Sequence, residues 1–205
     1  MIHTILHRKF LALGSLFRKR PMLIQPYKSS WAEDFQQLKQ ILDLCLLGLE
    51  YSIEHVGSTA VPDLDAKAII DMDIIYVDSA VFDLIKVRLE GIGYYYNGDQ
   101  GIIGRDVFRR RGDDRHPILD RIKHHLYVCQ QDSAALERHL LFRDYLRKHA
   151  WARVAYQEMK YQLAAETHQD RHWYGELKMQ KSNVFIDEII VKEKIERIQL
   201  SPSSK

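Results

Sequence analysis

Apolar residues recur at helical spacing at Trp31, Phe35, Leu38, Ile41, Leu42 and Cys45. The spacing predicts an amphipathic helix that opens near Trp31, is capped by Ser29 or Ser30 and is closed by Gly48. The period then shortens. Tyr51–Val56 and the isoleucine-rich Ala68–Tyr76 read as strands, separated by the turn segment GSTAVPDL. A helix from about Ser79 to Glu90 follows, ended by Gly91 and Gly93. Tyr94–Tyr96 and Val107–Arg109 read as strands flanking a glycine turn over Asn97–Gly104, and His124–Cys129 as a further strand. From Ser133 the pattern is helical: Ser133 to about His149, about Ala152 to Glu166, and about Trp173 to Ile198. The Asn97–Gly104 link is too short for a parallel crossover, so the sheet must contain antiparallel pairs. The order of elements predicts an α+β fold: a mixed, partly antiparallel sheet with a C-terminal helical region packed on it.

A chain of 205 residues suits one domain with appended ends. Residues 1–26 read as a basic amphipathic extension, set off by Pro21 and Pro26. The body is 27–198, divided into a sheet-containing part (27–130) and a helical part (131–198), and 199–205 is a tail. The apolar run Phe10–Phe17 is too short to cross a membrane and lacks a secretory cleavage site, and no transmembrane segment is predicted elsewhere. A formal charge of +2 neither demands nor excludes nucleic acid, which is therefore not indicated as a partner. Cys45 and Cys129 sit in apolar patterns and read as small buried hydrophobes, which places the chain in a reducing compartment and predicts a cytoplasmic protein.

The segment EHVGSTAVPDLDAKAIIDMD (Glu54–Asp73) carries the candidate chemistry. Side chains alternate along a strand, so Asp71 and Asp73 share one face while Ile70, Met72 and Ile74 share the other. Two like charges on one face need a cation or strong donors. Mg²⁺ takes oxygen ligands, commonly one or two carboxylates with phosphate oxygens and water. Upstream, Gly57 lets backbone approach a ligand, Ser58 supplies a hydroxyl, and a helix starting there would offer free N–H groups to an anion. The pattern reads either as a phosphate cradle facing a metal site or as a capped turn before a strand with a solvated polar face.

HVGSTAVP, the following AK and IIDMDI resemble the signature of the GrpB family, which is assigned to the nucleotidyltransferase superfamily and is related to a domain fused to some dephospho-CoA kinases. GIIGRDVFRR (Gly101–Arg110), HHLYV (His124–Val128) and FRDYLRKH (Phe142–His149) are similar to later segments of that family, and the match runs from about Tyr27 to about Ile190. The resemblance implies a nucleotidyltransferase-like palm. Gly57 and Ser58 would meet nucleotide phosphates, Asp71 and Asp73 would be catalytic and hold Mg²⁺ or Mn²⁺, and a nucleoside monophosphate would pass from an NTP to an unknown acceptor. The alternative is an inactive protein of the same fold that binds a nucleotide or another phosphorylated small molecule. Many superfamily members supply a third carboxylate from a later strand. Here His124–Cys129 has none, and Tyr127 stands where GrpB proteins typically have a second histidine.

Other residues have two readings. Lys67, four residues before Asp71, pairs with phosphate or is a surface lysine. Arg105 reaches the cleft from the glycine turn. Arg109, Arg110 and Arg111 form a solvated face or steer an anionic substrate. His124 and His125 point to opposite faces, and His125 is the better metal candidate if it shares the face of the aspartates. Arg143 clamps phosphate or docks its helix. Lys160 and Lys178 meet phosphates if their helices cover the sheet. Asp63 and Asp65 read as solvated loop charges.

Overall fold

The computed structural model describes residues 22–112 and 116–200, so the expectations for 1–20 and for the tail 201–205 lie outside the described residues. The elements run α1 (Ser30–Cys45), β1 (Ser52–Val56), a short 3₁₀ turn (Ser58–Ala60), β2 (Ile70–Tyr76), α2 (Ser79–Gly91), β3 (Tyr94–Tyr96), β4 (Arg105–Arg110), β5 (His124–Gln130), α3 (Ala134–Lys148), α4 (Ala150–Glu166) and α5 (Arg171–Leu200). Each strand and helix expected from periodicity is present within a few residues of its expected ends. One helix cap differs: Ser29 makes no side-chain bond at the start of α1, whereas Asp78, next to Ser79, accepts from Ala80 N and opens α2.

The five strands lie in the order β1-β2-β5-β4-β3. β1–β2, β4–β5 and β3–β4 are antiparallel, and β2–β5 is parallel. The one parallel pair joins strands separated by α2 and the β3–β4 hairpin, a connection long enough to return the chain in the same direction. One face of the sheet carries Ile53, Ile70, Met72, Ile74, Phe108, Leu126 and Val128. They pack with Trp31, Phe35, Leu38 and Leu42 of α1 and Ile85 and Leu89 of α2 into the main core. This explains the alternation in β2: its even positions bury into that core and leave Asp71 and Asp73 to the other face.

The second face is covered at one end only. Leu136 of α3 packs on Ile75 and Cys129 there. α3, α4 and α5 form their own core around Val61, Leu64, Tyr145, Leu146, Tyr156 and Ile189, which brings α4 and α5 alongside the β1–β2 connection. A cleft of about 1820 Å³ lies between these helices and this end of the sheet and reaches round to residues of the main-core face such as Phe108 and Leu126.

Candidate functional site

Gly57 sits at the corner after β1 with φ 71° and ψ −170°, a conformation that side-chain-bearing residues rarely adopt. A Cβ built there would lie 2.3 Å from Asp71 Oδ2. The glycine is therefore required twice, by backbone angle and by the carboxylate pressed against it. The segment after it forms only a three-residue 3₁₀ turn, so the helix N-terminus expected as an anion site does not form, and the hydroxyl of Ser58 remains as the donor. His55 and two arginines of α3 fix this corner. The Thr59 hydroxyl donates to Ile69 O and accepts from His55 Nε2 at 3.1 Å. Burial holds the His55 imidazole neutral, lowering its pKa to about 4.

The two aspartates share a face but differ in access. Asp71 lines the cleft, and its Oδ1 accepts from His125 Nδ1 at 2.8 Å. Asp73 is 0% exposed; its Oδ2 accepts from His139 Nδ1 at 2.8 Å, and its Oδ1 is buried without a partner. Each carboxylate is thus pinned by its own histidine through one oxygen. His139, from α3, escaped the sequence reading because nothing in the spacing of α3 marks which of its polar side chains meets the sheet. Among the described residues no group of three His, Cys, Asp or Glu side chains is gathered as a cation site. His125 is engaged through Nδ1 with Asp71, which leaves Nε2 as its remaining donor atom for a metal.

Tyr127 is the β5 partner of Asp73, and the guanidinium of Arg105 lies 4.7 Å over its ring with Nε buried and unpartnered. A third acid does reach this face, but from β1: Glu54 is paired with Asp73 across β1–β2. Arg143 holds it at 2.5 Å and also bonds His55 O and Asp144. Arg147, one turn on, donates to Ala60 O at 2.9 Å. The FRDYLR segment therefore clamps β1 and the corner, and Arg143, 8% exposed, is not among the residues lining the cleft.

The opposite wall is cationic. Lys67, Lys160 and Lys178 line the cleft with Ser58, Asp71, Arg105 and His125. Lys67 Nζ lies 4.2 Å over the Tyr174 ring, while Lys160 and Lys178 flank Tyr156 at 5.0 and 5.7 Å. Burial, then repulsion by Lys178 and Arg171, lowers Lys67 to about 8. Lys160 is 2% exposed and donates to Asp65 O; burial and the Lys178 charge hold its pKa well below the ordinary lysine value. Among the described residues none of these three lysines has a carboxylate within ion-pair distance. Asp65 is not the solvated loop charge expected: its carboxylate accepts from Tyr27 N and the Tyr161 hydroxyl, and its N–H donates to Gln157, so it ties α4 to the β1–β2 connection.

Comparison with known proteins places this arrangement. Residues 21–192 match the family described as GrpB protein. YqkA of Bacillus subtilis is 38% identical over 156 residues, which are 76% of this chain and 43% of YqkA, so the chain spans less than half of that relative. The glutamate-rich protein GrpB of Alkalihalophilus pseudofirmus is 29% identical over 174 residues, 84% of this chain and 95% of that one. The crystal structure of conserved protein GrpB from Enterococcus faecalis superposes with a TM-score of 0.68 at 32% identity, over 85% of this chain and 98% of that one. Cid1, a structure described through its RNA terminal uridylyl transferase activity, superposes with a TM-score of 0.50 at 14% identity, over 69% of this chain and 41% of Cid1; at that identity the likeness is one of fold. The chain belongs to the GrpB protein family, and its α+β fold is similar to that of Cid1.

Proposed function

We propose that the cleft binds a nucleoside triphosphate together with Mg²⁺ or Mn²⁺ and that the chain transfers the nucleoside monophosphate to an acceptor hydroxyl. One observation carries the reading: Lys67, Lys160 and Lys178, none of which has a carboxylate within ion-pair distance among the described residues, share one cleft with Asp71, and Asp73 stands two residues on along the same face of β2, buried behind it. An anion in the cleft would offset the charge of the lysines, and a cation that of the acids. The donor chemistry fits a hard divalent ion. Asp71 and Asp73 each keep one oxygen that histidine does not occupy, and that of Asp73 is buried and unpartnered. When bound, the ion neutralises phosphate charge and activates the attacking oxygen.

The chain's own residues have separable tasks in this reading. Lys67, Lys160 and Lys178 bind phosphate oxygens, Ser58 donates a hydrogen bond, and Arg105 brings an unpartnered Nε. Gly57 keeps backbone close enough to hold Asp71 in place. In the reaction the acceptor oxygen bonds the α-phosphorus, the bridging bond to the β-phosphate breaks, pyrophosphate leaves with that electron pair, and the hydroxyl proton passes to water. A second reading, nucleotide binding without turnover, is supported by Tyr127, which occupies the β5 position beside Asp73 where a third carboxylate would complete the site.

Thermal shift with ATP, GTP, CTP and UTP, with and without Mg²⁺, tests binding, and pyrophosphate release tests turnover. The expected result is a metal-dependent shift that Asp71→Ala and Asp73→Ala remove. A shift without pyrophosphate in the presence of varied acceptors favours the second reading. No shift with any nucleotide contradicts both.

A further inference from the structure

Strand alternation divides the basic run at the end of β4. Arg110 turns to the main-core face, where it pairs with Asp120 at 2.8 Å, donates to Ile92 O and lies 5.2 Å over the Tyr94 ring. Arg109 takes the opposite face, that of the aspartates. The β4–β5 register runs Val107↔Tyr127 and Phe108↔Leu126, so the next step sets Arg109 beside His125, and Tyr95 of β3 is its partner on the other side. His125 in turn is paired with Asp71. Tyr95, Arg109, His125 and Asp71 therefore form one row across the sheet. Lys123 lies two residues before His125, just ahead of β5.

Arg109 and Lys123 are exposed, both line the cleft, and among the described residues neither has a carboxylate within ion-pair distance. The lysines assigned to the triphosphate belong to the other wall, contributed by the β1–β2 connection, α4 and α5. The cleft thus carries lysines on its helical side and Arg105, Arg109 and Lys123 on its sheet side, with Asp71 in the same lining. A triphosphate held by the three lysines and Arg105 leaves Arg109 and Lys123 without an assigned ligand.

We propose that this row is the acceptor subsite and that the acceptor carries a phosphate. Arg109 offers the planar fork that binds a phosphate through two N–H groups, and Lys123 adds a point charge. Tyr95 supplies a ring beside them, and the acceptor hydroxyl is directed along the row to Asp71. The assignment rests on the triphosphate reading of the lysine wall. It identifies the acceptor by its phosphate, whether that belongs to a sugar phosphate or to a single-stranded nucleic acid.

The test uses the full chain with Mg²⁺ and a nonhydrolysable ATP analogue, whose binding is measured first. Ribose 5-phosphate is then titrated calorimetrically, and a short fluorescein-labelled single-stranded RNA by anisotropy. The expected result is binding of at least one probe, weakened about tenfold or more by Arg109→Glu and by Lys123→Glu, with ATP-analogue binding unchanged in both variants. Binding of ribose 5-phosphate alone identifies a small acceptor, and binding of RNA alone identifies a strand. If the analogue binds but neither probe does, or if both variants bind the probes like the unaltered chain, the acceptor assignment is overturned while the triphosphate reading stands. Failure of the analogue to bind overturns the triphosphate reading instead.

Discussion

Replacing Gly57 by alanine tests how the corner and the carboxylate depend on each other. The backbone at Gly57 lies at φ 71° and ψ −170°, a region essentially reserved for glycine, and forcing another residue there costs about 1–3 kcal/mol. The new methyl would also stand 2.3 Å from Asp71 Oδ2 and 2.9 Å from both Cβ and Cγ of Asp71. Rotating the carboxylate relieves the contact with Oδ2 but not the one with Cβ, so β2 or the corner must shift, which adds about 1–3 kcal/mol. Gly57→Ala is therefore expected to lose about 2–6 kcal/mol, a large part of the ~5–15 kcal/mol of an ordinary domain. The shift also moves Asp71 off His125, so Mn²⁺ binding should weaken in the folded fraction. Urea unfolding measures the first effect, and electron paramagnetic resonance of free Mn²⁺ the second. A loss under about 0.5 kcal/mol, the usual scatter for a surface change, with Mn²⁺ binding intact, would refute the contact between corner and carboxylate.

Three further outcomes follow from the buried charges. His55 is held neutral with a pKa of about 4 against 6.5 in the unfolded chain, so between these values the unfolded state binds more protons; its share of stability is full above pH 6.5 and falls away toward pH 4, by ~3 kcal/mol at most, and His55→Gln should flatten that limb of the stability curve measured by urea unfolding. Lys67 is held at about 8 and must be protonated to attract phosphate, so ATP affinity by calorimetry should fall as pH rises from about 8 toward 9.5, and Lys67→Arg should remove most of that fall. Glu193 of α5 is 0% exposed and bonds Lys148 at 2.6 Å and Arg197 at 2.8 Å; Glu193→Ala should cost ~2–3 kcal/mol in urea unfolding without changing nucleotide binding, and a cost near zero would mean that the ion pairs contribute nothing.

Local pattern carried much of this structure. The two-residue period of β2 put Asp71 and Asp73 on one face, and the short Asn97–Gly104 link required antiparallel pairs, because both follow from backbone geometry. What escaped depended on contacts distant in sequence. The His139–Asp73 pair joins residues on α3 and β2, and Glu54 meets Asp73 through strand pairing that no local signal specifies. Asp65 looked like an ordinary loop charge because its partners, Tyr27, Gln157 and Tyr161, arrive from two other segments. Arg143 was open between a phosphate clamp and a helix anchor; the contacts with Glu54, His55 O and Asp144 occupy it as an anchor. The basic run at β4 could be divided by alternation alone, but which half faces a cleft required the position of the helices.

The most direct measurement is a crystal of the full chain soaked with a nonhydrolysable NTP and Mn²⁺, with the metal located by its anomalous signal. The account predicts a Mn²⁺ peak at ordinary coordination distance from Asp71 Oδ2 and Asp73 Oδ1, with phosphate oxygens bound to Lys67, Lys160 and Lys178. A peak held elsewhere, or a nucleotide whose phosphates touch none of the three lysines, would contradict it.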